Sequence, residues 1–219
     1  GHNMTFEDRM WITSWHTLMG VNFMCPHLSL YSMKGERKRD YPPTISYQQP
    51  YWRYNTLFED YSARLCYFAT VGQTTAEICV ISPIESDYIE HAQKRSGKRD
   101  AALNGLLNAL MRTHRNCDLG DEQIISEIGK ARDGRFQIGK MAYRVVVLPP
   151  LLTIRASTLA LLKEFAAQGG TVMIAGEYPK FVDGVEDAAR LSALKSYALL
   201  VNGDGWLDAL NKKSPPVFT

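Results

Sequence analysis

Tyr143-Arg-Val-Val-Val-Leu-Pro-Pro150, the amphipathic stretch Ser157 to Gln168, and Gly169-Gly-Thr-Val-Met-Ile-Ala-Gly176 decide the fold class of this chain. The first is a β-branched apolar run stopped by two prolines. The second carries Leu159, Leu162, Phe165 and Ala166 at three- and four-residue spacing, and the third is another apolar run entered through a glycine pair. Apolar runs without alternation are strands buried on both faces, and strand, helix, strand in this rhythm builds a parallel sheet wrapped by helices. Working outward, Glu77-Ile-Cys-Val-Ile81 supplies an earlier strand and Asp100 to Thr113 a helix. Gly134-Arg-Phe-Gln-Ile-Gly139 reads as a short extra strand feeding the Tyr143 strand. A helix over Val185 to Leu194 and a turn at Asn202-Gly-Asp-Gly205 complete an α/β domain over 73–219.

Residues 1–72 have a different character, holding 14 of the 23 Phe, Trp and Tyr. Thr5-Phe-Glu-Asp8 is a capping-box-like start for a helix whose face is Trp11, Ile12, Trp15, Leu18 and Met19, closed by Gly20. Val21-Asn-Phe-Met-Cys25 reads as a buried strand. About 24 residues of loop follow, Pro26 to Gln49, before a helix carrying Trp52, Leu57, Phe58, Tyr61, Leu65 and Phe68 and ending at Gly72. One strand between two aromatic helices builds no sheet core of its own. Either it joins the sheet of the second half, or the chain is part of a longer protein.

Composition narrows the function classes. With 219 residues, 45% hydrophobic, 22% charged and net charge +2, the chain is globular rather than disordered or collagen-like. The near-neutral balance gives no electrostatic reason to expect nucleic acid or an anionic membrane. No apolar run approaches the roughly 18 residues of a membrane span, and the first residues lack the basic start and apolar core of an export signal. Cys25, Cys66, Cys79 and Cys117 are spaced too widely for a CxxC pair and read as buried thiols, so no metal is expected. A phosphate loop, a G-x-S-x-G elbow and an HExxH helix are all missing, and Pro83 with no nearby glycine argues against a flavin phosphate at Ser82-Pro-Ile-Glu-Ser86. No cofactor is expected.

Chemistry is expected in the long loop, because loops beyond about 12–15 residues in compact domains are commonly functional. A strand feeding a long loop at its C-terminal end is where α/β barrels place their sites. Tyr and Trp faces stack on the C–H faces of sugars, and His, Gln, Arg and Asp hold hydroxyls directionally. Each residue also has a plainer role: His27 as a structural imidazole, Arg37-Lys-Arg39 paired with Glu36 and Asp40, Asp40 shaping the loop, Trp52 in a core, Tyr47 and Tyr51 as packing.

Gly20-Val-Asn-Phe-Met-Cys-Pro-His27, Tyr31-Ser-Met-Lys-Gly-Glu-Arg-Lys-Arg-Asp-Tyr-Pro-Pro43 and Gln49-Pro-Tyr-Trp52 resemble large glycoside hydrolases of the α-L-rhamnosidase-like and β-galactosidase-like kind. The resemblance runs from about Thr5 to Pro179. In such enzymes a TIM barrel is followed by a flavodoxin-like, glutamine amidotransferase-like domain similar to the β-galactosidase trimerisation domain, which Tyr143 to Gly176 resembles. It implies that 1–72 is the last, incomplete barrel segment, with Val21 to Cys25 its final strand, and that 73–219 is the flavodoxin-like domain. It further implies a carbohydrate substrate contacted by His27, Arg37, Arg39, Asp40, Tyr41, Gln49 and Trp52. The two catalytic carboxyl groups, about 5 Å apart in retaining enzymes and farther in inverting ones, would lie on strands upstream. A secreted or periplasmic location, and contact with the remaining barrel or a homo-oligomer, follow from the same likeness. Without barrel neighbours, Trp11 and Trp15 would be exposed. The alternative is a non-catalytic flavodoxin-like binding or assembly module whose aromatic N-terminal arm docks on a partner.

Overall fold

A computed structural model describes residues 4–26, 32, 34–36, 45, 47–73, 75–92, 98–201 and 205–214, apart from the side chains of Lys98 and Trp206. The chain divides into two compact units, Gly1–Thr74 and Thr75–Thr219. In the first, α1 (Phe6–Leu18) is followed by a 3-10 turn (Trp52–Tyr54) and α2 (Asn55–Val71). The second unit runs β1 (Ile78–Ile81), α3 (Ile84–Ala92), α4 (Lys98–Arg112), β2 (Cys117–Gly120), α5 (Glu122–Ile128), β3 (Gly129–Arg132), β4 (Arg135–Ile138), β5 (Met141–Tyr143) and β6 (Val145–Leu148). It continues through β7 (Thr153–Ile154), α6 (Ala156–Ala167), β8 (Thr171–Ala175), β9 (Phe181–Val182), α7 (Ala188–Tyr197), β10 (Ala198–Val201) and α8 (Gly205–Asn211).

Five parallel strands form the main sheet in the order β2-β1-β6-β8-β10. Numbered along the chain those five strands lie 2-1-3-4-5, the flavodoxin-type doubly wound order. Ile78 pairs with Cys117 on one side and Val145 on the other, Val145 with Thr171, and Val172 with Ala198, so the register is continuous across the sheet. All four residues of β1 and of β6 are buried, as the unbroken apolar runs predict. Period-two geometry then divides them between two cores. Cys79, Ile81, Val146, Leu148, Val172 and Ile174 pack with Leu159, Leu162 and Phe165 of α6, Ile125 of α5 and Leu194 of α7. Ile78, Val80, Val145, Val147 and Met173 pack with Leu106 and Leu110 of α4 and Leu210 of α8.

A three-stranded antiparallel sheet, β3-β4-β5, forms beside the main one. The expected extra strand near 134–139 is its middle member. Phe136 of β4 meets Phe165 of α6 edge to face, with centroids 5.6 Å apart, and so binds this sheet to the first core. Arg115, buried just before β2, donates to the Ser214 carbonyl at 3.2 Å and the Thr113 carbonyl at 3.0 Å, and bonds Asn211 of α8. Ser214 also donates to Glu77 at 3.3 Å, so the segment after α8 is held to the starts of β1 and β2.

The first unit departs from expectation at Val21 to Cys25. This stretch is not a strand and is not buried: it has no regular secondary structure, and Phe23 is 79% exposed. A strand is held by ladder hydrogen bonds to neighbours, and among the described residues none pairs with it. The Cys25 thiol is likewise exposed, not buried as expected, whereas Cys79 is fully buried.

Gly170 lies where a Cβ would overlap the Phe165 ring. Gly170→Ala is therefore expected to cost about 1–3 kcal/mol. Gly105→Ala, in open space within α4, is expected to stabilise by about 0.5–1 kcal/mol. Chemical denaturation of both variants checks the pair of opposite signs.

Candidate functional site

In the first unit, helix α1 begins with the capping box read from the sequence: the Thr5 hydroxyl accepts from the Asp8 amide at 3.1 Å and the Asp8 carboxylate from the Thr5 amide at 2.9 Å. That pair fixes the start of the helix, and its rotation follows. The buried residues of α1 are Arg9 and Thr13, and those of α2 are Asn55, Phe58 and Ser62. Arg9 donates to the Asn55 side-chain oxygen at 2.6 Å and to the Glu59 carboxylate at 3.1 Å, and its guanidinium lies 3.8 Å from the Phe58 ring centroid. Asn55 donates to Glu59 at 2.9 Å, and the Ser14 and Tyr61 hydroxyls share a 2.5 Å bond. The contact between the helices is thus polar and charge-assisted. The aromatic face of α1 points outward, with Trp11 69% and Leu18 84% exposed, and Leu57 and Phe68 of α2 do the same.

Between these helices and residues 21–26 lies a cavity of about 540 Å³. Ile12, Val21, Phe23, Met24, Ile45 and Phe58 line it with apolar groups, and Arg9, Glu59 and His16 add polar ones. His16 Nδ1 lies 2.8 Å from the Ile12 carbonyl, which can only accept, so Nδ1 carries the proton and Nε2 is the acceptor of the neutral ring. Thr13 and Ser62, each more than nine-tenths buried, also line the cavity.

Of the residues singled out in the sequence, Gln49 and Trp52 are brought together. The Trp52 amide donates to the Gln49 carbonyl at 3.0 Å, closing the turn that leads into α2. Trp52 is 38% exposed, so it is not a core residue. Tyr47 and Tyr54 are exposed beside it, Arg53 stacks 4.6 Å from the Tyr54 ring, and Gln48 donates to the Tyr47 hydroxyl at 3.1 Å. Three exposed aromatic side chains, Tyr47, Trp52 and Tyr54, thus fall within eight residues of sequence. His27, Arg37, Arg39, Asp40 and Tyr41 lie outside the described residues. Arg9, Thr13, Asn55 and Ser62 were missed. Their signal was available: Arg9, Thr13 and His16 recur at four- and three-residue spacing opposite Trp11, Trp15 and Leu18.

In the second unit the carboxyl ends of β1 and β6, the switch point of this strand order, lead into segments with buried Pro83, Pro149 and Leu151. Arg99 donates to the Pro150 carbonyl at 3.1 Å and to Glu90 at 2.6 Å. Nearby, Glu122 is buried and accepts from the Arg155 amide at 2.9 Å, while the Arg155 guanidinium meets Glu85 at 2.5 Å. Burial pushes the Glu122 carboxyl above its ordinary range, and Glu85 adds to the push. Burial also raises the Cys117 thiol to about 11, so it carries no appreciable thiolate near neutrality. Among the described residues no cluster of His, Cys, Asp and Glu could hold a metal ion, and no helix is long and apolar enough to cross a membrane. No family model matches the chain, and no curated protein matches it.

Two outcomes are expected. Arg9→Met leaves Asn55 buried without its donor and should cost about 1–3 kcal/mol, read as faster hydrogen exchange in α1 and α2. Glu122 has a folded-state pKa above its unfolded value, so it favours the folded state at low pH and loses that contribution as pH rises from about 4.5 through the raised value. Glu122→Gln should flatten this dependence in denaturation midpoints measured between pH 4 and 7.

Proposed function

We propose that this chain is the C-terminal portion of a glycoside hydrolase acting on poly- or oligosaccharides. In this reading residues 1–72 are the last part of its barrel domain, residues 73–219 are a non-catalytic α/β domain, and the catalytic carboxylates are contributed upstream. The observation that carries the reading is the exposure of the aromatic side chains Tyr47, Trp52 and Tyr54, interspersed in sequence with Gln48, Gln49 and Arg53. A flat apolar ring stacks on the C–H face of a pyranose, and side-chain amides at its edge bond the equatorial hydroxyls. The sequence resemblance in the loop leading to these residues adds His27, Arg37, Arg39, Asp40 and Tyr41 as further sugar contacts.

A second reading, an assembly module of flavodoxin type, is favoured by a different observation. Leu119 on the edge strand β2 and Ile124 and Ile128 on α5 are exposed. Such apolar groups at a sheet edge suit a protein contact.

The test uses the natural-length protein with a panel of aryl α- and β-glycosides. Cleavage of one of them is expected, with Trp52→Ala raising KM about tenfold at little cost in kcat, because stacking of this kind is worth about 0.5–1.5 kcal/mol in substrate and transition state alike. His27→Ala and Asp40→Asn should each lower kcat/KM. Absence of glycoside cleavage, or unchanged kcat/KM in all three variants, overturns the hydrolase reading. A defined oligomer broken by Leu119→Asp, in a protein that cleaves no glycoside, establishes the assembly module in its place.

A further inference from the structure

The cavity of the first unit, about 540 Å³, falls in the range of roughly 300–1,000 Å³ typical of small-molecule sites. Its lining combines buried Arg9, Thr13, Phe58 and Ser62 with exposed Phe23 and Cys25, so the space runs from the seam between the helices out to solvent. Most of that lining is apolar, and its charges are already matched. Arg9 donates to Glu59 at 3.1 Å and to Asn55 at 2.6 Å, and Asn55 donates to the same Glu59 oxygen at 2.9 Å. A bound anion would have to take Arg9 from Glu59, and a bound cation would have to take Glu59 from both its donors. Either exchange strips a partly buried charge of its partner, so the cavity disfavours a charged guest. Its uncommitted polar capacity is of another kind. His16 donates from Nδ1 to the Ile12 carbonyl at 2.8 Å, which makes Nε2 an acceptor suited to a single N–H or O–H.

We infer that this cavity binds an uncharged, largely apolar small molecule that carries one hydrogen-bond donor, a hydroxyl or an amine N–H, received by His16 Nε2. A cavity of roughly 150 Å³ takes up benzene, so this one accommodates a molecule of about 20 heavy atoms. The apolar body of the guest lies against Ile12, Met24, Ile45 and Phe58, while the Arg9 cluster holds α1 and α2 apart at the spacing that keeps the space open. A sugar, with a hydroxyl on nearly every carbon, finds too few partners in such a lining. The site is therefore separate from the sugar contacts proposed above and stands without them.

N-phenyl-1-naphthylamine tests it, being neutral, close to this size, equipped with one N–H and fluorescent chiefly in apolar surroundings. Natural-length protein titrated into a dilute solution of the probe should raise its fluorescence along a single-site curve with Kd about 200 µM or tighter. The sulfonate analogue 8-anilino-1-naphthalenesulfonate should bind at least about tenfold more weakly. Ser62→Phe and Ile12→Trp, which fill the cavity from α2 and from α1, should each abolish binding, with circular dichroism showing that the helices persist. Trp11→Ala and Leu18→Ala, on the exposed face of α1, should leave Kd unchanged. His16→Phe should weaken the probe about three- to tenfold and leave its N-methyl derivative, which lacks the donor, unaffected. No saturable binding, binding that survives both filling variants, equal affinity for the sulfonate, or a probe indifferent to His16→Phe overturns the inference. Probe binding with this pattern in a protein that cleaves no glycoside keeps the site and discards the hydrolase.

Discussion

The structure of the second unit depends on one constraint: β1 and β6 have no water-facing side. Every side chain of Ile78–Ile81 and Val145–Leu148 is apolar and buried, so both faces of the sheet must be covered. Short connections cannot do this for parallel strands, and helices can. Placing α5, α6 and α7 on one face and α4 and α8 on the other satisfies both sets of alternating residues at once. The position of every loop at the carboxyl end follows from that arrangement. There Pro83 and Pro149 are buried and, as prolines, have no amide proton to offer a ligand.

The two units solve opposite problems. In the second, apolar residues face inward and carry the stability. In the first, the inward contact between helices is an Arg-Asn-Glu cluster, while tryptophans and leucines face out. A polar seam of this kind fixes the register and rotation of two helices precisely but stabilises them modestly, because each charge brought inside loses hydration. Such a pair is well aligned by its seam but only modestly stabilised by it.

Legibility in the sequence followed burial. Strands β1, β6 and β8 and helix α6 were readable because burial on two faces, or on one helical stripe, leaves an apolar pattern that nothing else produces. Strand β2 was not, because it lies at the sheet edge: its Asp118 accepts from the Tyr143 hydroxyl at 2.9 Å and its Leu119 faces out, so Cys117–Gly120 shows no apolar run. Strand β10 follows α7 without a break, and its exposed Leu199 and Leu200 prolong the helical pattern. Val21 to Cys25 failed in the other direction, having the composition of a strand but no ladder partner among the described residues. Gln49 and Trp52, singled out through the sequence resemblance, meet in the turn before α2. Arg9 and Asn55 were hidden, because an apolar stripe is ordinarily the inward one and here it is not.

The tether of Ser214 has a consequence for the order in which the molecule is made. Glu77 and Ser214 stand 137 residues apart, and Arg115 and Ser214 stand 99 apart. On a ribosome adding about 5–20 residues per second, the roots of β1 and β2 emerge well before the group that ties them down. The second unit therefore cannot reach its final state progressively from the N-terminal side; its earliest strands wait, half-clamped, for its last helix. During that interval β2, already the edge of the sheet, is the strand most open to interception by another nascent chain.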